Sequence, residues 1–169
     1  MEDSVISSLE FISGMSRFSA RMKKKVKQIV LGFYALGVNS RLLDESDPKI
    51  KGLRDLVPKC SVELEFGVWD WLDDTTEDLT ADLVFLEYRD LLHFRSGLQF
   101  MLFELGGKSP DAKWLNFSRD FRRSIELDAF DYHLQTRMDR NAKISCELSE
   151  TEVSILPSLL AHWWWQQIT

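Results

Sequence analysis

Apolar residues recur at steps of three and four along most of this chain. Val5, Leu9, Ile12, Met15, Phe18, Met22, Val26, Ile29, Phe33 and Leu36 form the first such series. That spacing is one face of an α-helix. It predicts one long helix from Ser4 to Leu36, or two nearly collinear ones, interrupted at Gly14 and Gly32. Gly37-Val38-Asn39 is the expected stop.

The next stretch, Arg41 to Cys60, reads as a connection with a short helix that Asp47-Pro48 starts and Pro58 ends. Ser61 to Leu72 carries two patterns at once. Val62, Leu64, Phe66 and Val68 alternate with Glu63 and Glu65 as a strand would, while Val62, Phe66, Trp69 and Leu72 fit a helix. A lone strand would have no partner here, so helix is favoured. Asp73 to Asp78 is read as a loop that caps the following helix. From Thr80 to Gln99 and beyond, Leu79, Leu83, Leu86 and Leu91, then Leu98, Met101, Leu102 and Leu105, predict two short helices. The break falls at Ser96-Gly97, with Ser96 as N-cap of the second.

Gly106-Gly107 closes that helix, and Ser109-Pro110 opens another as N-cap and first residue. Trp114, Phe117, Phe121, Ile125, Phe130, Leu134 and Met138 predict a span of 110–140, bent near Asp128. Asn141 to Leu148 is a connection. Ser149-Glu150-Thr151-Glu152 is a capping box that starts a last helix, kinked or restarted at Pro157 and ending in His162-Trp163-Trp164-Trp165. The sum is an all-α, single-domain bundle of five to six helices over residues 1–169.

Composition narrows the class. The 169 residues are 44% hydrophobic and 28% charged, as in a folded globular domain. A net charge of −6 argues against nucleic acid as a partner. The basic run Arg21 to Lys27 is the exception, read first as the wet face of a helix and alternatively as a contact for an anionic membrane or an acidic partner. Cys60 and Cys146 form neither a disulfide framework nor a zinc motif, so a reducing compartment is expected. The N-terminus lacks a signal pattern and no run reaches membrane-span length. A cytoplasmic protein is the expectation.

Candidate chemistry concentrates in the centre. Arg89 near the end of one helix and Ser96 at the start of the next would together hold an anion, through a guanidinium fork and a helix N-terminus. Asp73, Asp74 and Glu77 have the D-D-x-x-E spacing of magnesium sites that bind diphosphate, but no second such motif follows. Of the three histidines, His93, His133 and His162, none stands at metal-site spacing from a cysteine or carboxylate.

The run Phe85-Leu86-Glu87-Tyr88-Arg89-Asp90, followed by Leu92 and then Ser96-Gly97-Leu98-Gln99, resembles the F-L-x-F-R-D/E-x-L-x-x-A-S-G-F-Q signature of haem-dependent tryptophan 2,3-dioxygenases. Asp128 to Thr136, with His133, is similar to that family's haem-ligand segment. The resemblance implies Arg89 on a substrate carboxylate, Ser96 beside haem and substrate, and Phe85 lining an aromatic pocket. It further implies His133 as proximal ligand of a haem iron. The family's N-terminal H-Q-x-x-E-x-W helix has no counterpart, since no histidine precedes His93. What is implied is therefore a minimal relative that binds haem or an aromatic amino-acid-like molecule.

A second reading comes from the acidity and the aromatic end of the chain. An acidic helical interaction module, of the immunity or inhibitor type, would block a basic partner without catalysis. Three consecutive tryptophans point in different directions around a helix. Trp163, Trp164 and Trp165 are thus expected to leave at least one ring exposed for a partner or a second copy.

Overall fold

The fold is built around one helix, α2 (Ala20–Val38). Its apolar residues Val26, Ile29, Val30, Phe33 and Leu36 are completely buried, and they face neighbours on three sides. The computed structural model describes residues 1–15, 17–81, 88–140, 150, 152 and 162–165, excepting the side chains of Arg140 and Trp163. Among these residues the secondary structure is helical, with seven α-helices and no strand. All-α is therefore the observed class, with one continuous hydrophobic core and more helices than the pattern alone suggests.

The N-terminal series is two packed helices rather than one long or collinear element. α1 (Glu2–Ser13) ends at Gly14 and packs back against α2. Ser19 restarts the chain by accepting a hydrogen bond from the Met22 backbone N–H, as an N-cap does. Phe18, placed on the apolar stripe by spacing, lies in this turn and is exposed. α3 (Pro48–Lys59) begins as expected, with Asp47 capping the Lys49 N–H, and its last turn includes Pro58.

α4 (Ser61–Thr80) resolves the ambiguous stretch as helix. Leu64, Gly67, Val68, Leu72 and Leu79 form its buried face, a helical spacing that outweighs the local alternation. Asp73 to Asp78, expected in a loop, is the C-terminal half of this helix. Thr75 and Thr76 bond back to the carbonyls of Trp71 and Leu72 there, so the side chains continue the helix instead of capping a new one.

The expected break at Ser96-Gly97 does not exist. α5 (Tyr88–Gln99) runs through it and continues into a π-helical turn (Phe100–Glu104), marked by the Leu105 N–H bonding to the Phe100 carbonyl at 2.9 Å. The glycine serves a crossing rather than a break. A Cβ on Gly97 would overlap the Val30 carbonyl oxygen of α2, so its absence lets the two backbones touch.

The span 110–140 divides into α6 (Ala112–Ser124) and α7 (Leu127–Arg140). Glu126 between them has φ of 55°, a left-handed residue that turns the chain. Asp111, not Ser109, caps α6 by accepting from the Trp114 N–H at 2.8 Å. The linker 141–148 lies outside the described residues, as do Ser149 and Thr151 of the capping box and Pro157. The described chain resumes at a 3-10 turn (Trp163–Trp165).

Candidate functional site

A polar cluster sits inside the bundle where α5 meets the C-terminal turn. Its centre is Ser96, which is completely buried. The Ser96 Oγ accepts from the indole N–H of Trp164 at 2.8 Å and of Trp165 at 2.7 Å. It also lies 3.2 Å from His162 Nδ1. A hydroxyl has two lone pairs and one hydrogen. The two indoles occupy the lone pairs, so the hydrogen goes to Nδ1. The neutral His162 ring therefore carries its own proton on Nε2. Burial, and after it the Arg95 charge, push His162 down from 6.5 to about 4, which keeps the ring neutral.

Arg95 precedes Ser96 and is buried with it. Its Nε and Nη2 donate to the two carboxylate oxygens of Asp131 on α7, at 2.8 and 3.0 Å, and Nη1 reaches Gln99 Oε1 at 3.3 Å. The guanidinium also lies 4.1 Å from the ring centroid of Trp164. Such a bidentate pair stacked on an indole offsets the cost of burying a guanidinium. Beside it opens a cleft of about 370 Å³, lined by Arg95, Gln99, Phe103, Asp131, His162 and Trp164, with Arg122 at the edge.

One helical turn away on α5, His93 stacks on Tyr34 with ring centroids 4.3 Å apart. Glu152 Oε2 bonds to His93 Nε2 at 2.8 Å and accepts from the Tyr34 hydroxyl. Burial lowers the His93 pKa although the Glu152 carboxylate opposes the shift. The C-terminal segment is thus tied to the bundle at Glu152 as well as at Ser96.

Of the residues singled out by sequence, Ser96 is in the cluster, but as a buried mid-helix hub rather than an N-cap. Arg89 is exposed in the first turn of α5 and Ser96 is buried two turns further on within the same helix, so the two do not form the helix-end anion site expected of them. Phe85 lies outside the described residues. Trp164 and Trp165, expected as a surface for partners, are 2% and 0% exposed and belong to the core. The side chain of Trp163 lies outside the described residues. His133 is half-buried on α7 against a cavity of about 130 Å³, whose walls include Trp69, Leu72, Asp73 and Glu126. Ligand pockets run to roughly 300–1,000 Å³. The space beside His133 is well below that, and two carboxylates border it, so the described surroundings of His133 do not fit a haem. Among the described residues no group of three or more His, Cys, Asp or Glu is arranged to hold a metal ion, Asp73, Asp74 and Glu77 included. No helix is long and apolar enough to cross a membrane among the residues described.

A second feature lies on the outside of α4. Val62, Phe66 and Trp69 form a stripe at steps of four and three, with relative exposures of 61%, 58% and 41%. The Phe18 ring extends it, 6.1 Å from Phe66. Glu65, Phe66, Trp69 and Ser124 line a shallow groove here of about 380 Å³. α4 carries Glu63, Glu65, Asp70, Asp73, Asp74, Glu77 and Asp78, and no basic residue. Burial, and then the Asp120 carboxylate, raise the Glu65 pKa, so the groove already disfavours its own negative charge. Lys23 of α2 offsets part of the field by pairing with Asp70 and Asp74.

No family model, curated protein or solved structure matches the chain.

Proposed function

We propose that this protein is an acidic helical interaction module whose α4 face docks a cationic amphipathic helix of a partner protein. The observation that carries this reading is the exposed stripe Val62, Phe66 and Trp69 on a helix with seven acids and no base. Large apolar side chains grouped on a surface mark contact sites. A helix laid into a groove, with apolar anchors at i, i+3, i+4 and i+7, is a recurrent way of filling one. The flanking carboxylates select the sign of the partner, and a cation placed beside Glu65 offsets the repulsion from Asp120.

The test uses two synthetic 18-residue helices with the same leucine stripe, one with lysine and one with glutamate on the polar face. Fluorescence anisotropy is expected to show saturable binding of the lysine peptide and at least tenfold weaker binding of the glutamate peptide. Phe66→Asp separates docking from plain charge attraction. It adds a negative charge, so attraction alone would strengthen lysine-peptide binding, whereas an apolar anchor site loses at least tenfold. Equal binding of the two peptides, or no loss in Phe66→Asp, overturns the proposal.

A further inference from the structure

The cleft beside Arg95 has an unusual balance of charge and hydrogen-bonding groups. Its cations are already matched: Arg95 by Asp131, and Arg122 by Asp128 at 2.8 Å. An anion entering would meet no net positive charge. Two neutral donors face the cleft among the described residues. His162 has Nδ1 engaged by Ser96 and presents a Nε2–H. Gln99 has its carbonyl oxygen turned to Arg95, which leaves its amide NH2 as the group it can offer. The Asp131 oxygens receive the Arg95 fork. Phe103 supplies apolar surface, and Trp164 backs the wall behind Arg95 and His162.

We infer that this cleft is a binding site for a small, flat, uncharged ring that carries carbonyl oxygens, with His162 Nε2–H and the Gln99 amide as the donors that read them. The volume, about 370 Å³, lies within the range of small-ligand pockets. Arg95 and His162 are 4% and 7% exposed, so the polar wall is fixed by packing before a ligand arrives. The neutral state of His162 keeps the cleft free of an added positive charge at neutral pH, which favours a carbonyl over a carboxylate.

Caffeine is a suitable probe: flat, uncharged, with two carbonyl oxygens and no N–H. Binding is read by isothermal titration and by the NMR shifts of the Trp164 and Gln99 side chains. Saturable binding is expected, with benzoate of similar flatness at least tenfold weaker. Gln99→Glu keeps an oxygen for Arg95 and removes the amide donor. It is expected to weaken caffeine at least tenfold while circular dichroism stays unchanged. His162→Phe is a second variant with the same expectation, in case charge at position 99 alters packing. Absence of saturable binding to the native protein, tighter binding of benzoate than of caffeine, or unchanged affinity in both variants overturns the inference. None of these outcomes depends on the α4 face.

Discussion

Removing the Ser96 hydroxyl tests whether the cluster at the C-terminal turn is a stabilising hub. Ser96→Ala deletes one oxygen and leaves the volume nearly unchanged, so the cavity contribution is small. The consequence is electrostatic. The indole N–H groups of Trp164 and Trp165, now 2.8 and 2.7 Å from the hydroxyl, lose their acceptor in a place that water does not reach. Each orphaned buried donor costs roughly 1–3 kcal/mol, giving about 2–6 kcal/mol for the pair. His162 Nδ1 also loses its donor, but the ring can shift its proton, and its contribution is left out of that sum. The expected loss, about 3–4 kcal/mol near the middle of the range, exceeds the roughly 1 kcal/mol typical of a point substitution. Urea unfolding followed by far-ultraviolet circular dichroism measures it as a lower midpoint at unchanged slope. A double-mutant cycle assigns the cause. In a Trp165→Phe background one of the two donors is gone, so Ser96→Ala should cost roughly 1–3 kcal/mol less there than in the native chain. A loss below about 1 kcal/mol in the native background, with no coupling to Trp165, would refute the hub as the reason Ser96 is buried.

Two further outcomes follow from neighbouring residues. Gly97→Ala has opposing expectations: helix propensity gains about 1 kcal/mol, while overlap of the new Cβ with the Val30 carbonyl oxygen costs roughly 1–3 kcal/mol or more because both partners are backbone. Thermal unfolding should therefore show a lower midpoint; a rise would mean that α2 and α5 do not cross at Gly97. His162 has a folded pKa of about 4 against an ordinary 6.5, so the unfolded chain binds the extra proton first as pH falls. Its stabilising contribution is complete above about pH 6.5 and is lost toward pH 4. It amounts to about 2 kcal/mol between pH 7.5 and 5. His162→Asn, which keeps an acceptor for Ser96, should flatten that part of the urea-midpoint profile, and an unchanged slope would count against a neutral buried ring.

The helical class was legible because the spacing of three and four is maintained over nearly every segment, and α4 shows the rule overriding a local contradiction. There the alternation of Val62 to Val68 covers seven residues, but Leu64, Val68, Leu72 and Leu79 continue for about three further turns at helical steps. The misreadings arose where one residue type serves two purposes. A Ser-Gly step ends helices and also lets helices cross closely, and sequence spacing alone does not separate the two. Gly97 serves the crossing because Val30, 67 residues earlier, lies against it. The register drift of the apolar stripe marks a bend near Asp128, but not its sharpness: Glu126, with φ of 55°, is neither glycine nor asparagine, so residue type does not signal a full turn there. The acids from Asp73 to Asp78 fit a loop that caps the next helix equally well, because acids favour helix N-termini. On the outer face of a helix whose other face is buried, dense charge is compatible with structure.

The polar cluster depended on contacts between residues 36 to 69 positions apart, which no local motif encodes. It did leave one trace. On α5 the buried positions Leu91, Phe94 and Leu98 adjoin Arg95, while buried Leu92 stands one turn before Ser96, so both polar residues lie on buried parts of the helix. A charged side chain in such a position has to meet an opposite charge or remain unpaired at a cost of several kcal/mol. Arg95 is the charge held in this way, flanked on both sides by apolar positions, whereas Arg89 stands exposed in the first turn. That reasoning predicts that a carboxylate and further polar groups come from elsewhere in the chain to meet Arg95. Asp131 and Gln99 are those groups for Arg95, while His162 and the two indoles complete the hydroxyl of Ser96. The informative pattern was therefore the exception to amphipathicity within a strongly amphipathic helix. Reading α5 for where polarity interrupts the apolar stripe, rather than for where a motif fits, leads to the cleft whose wall these residues form.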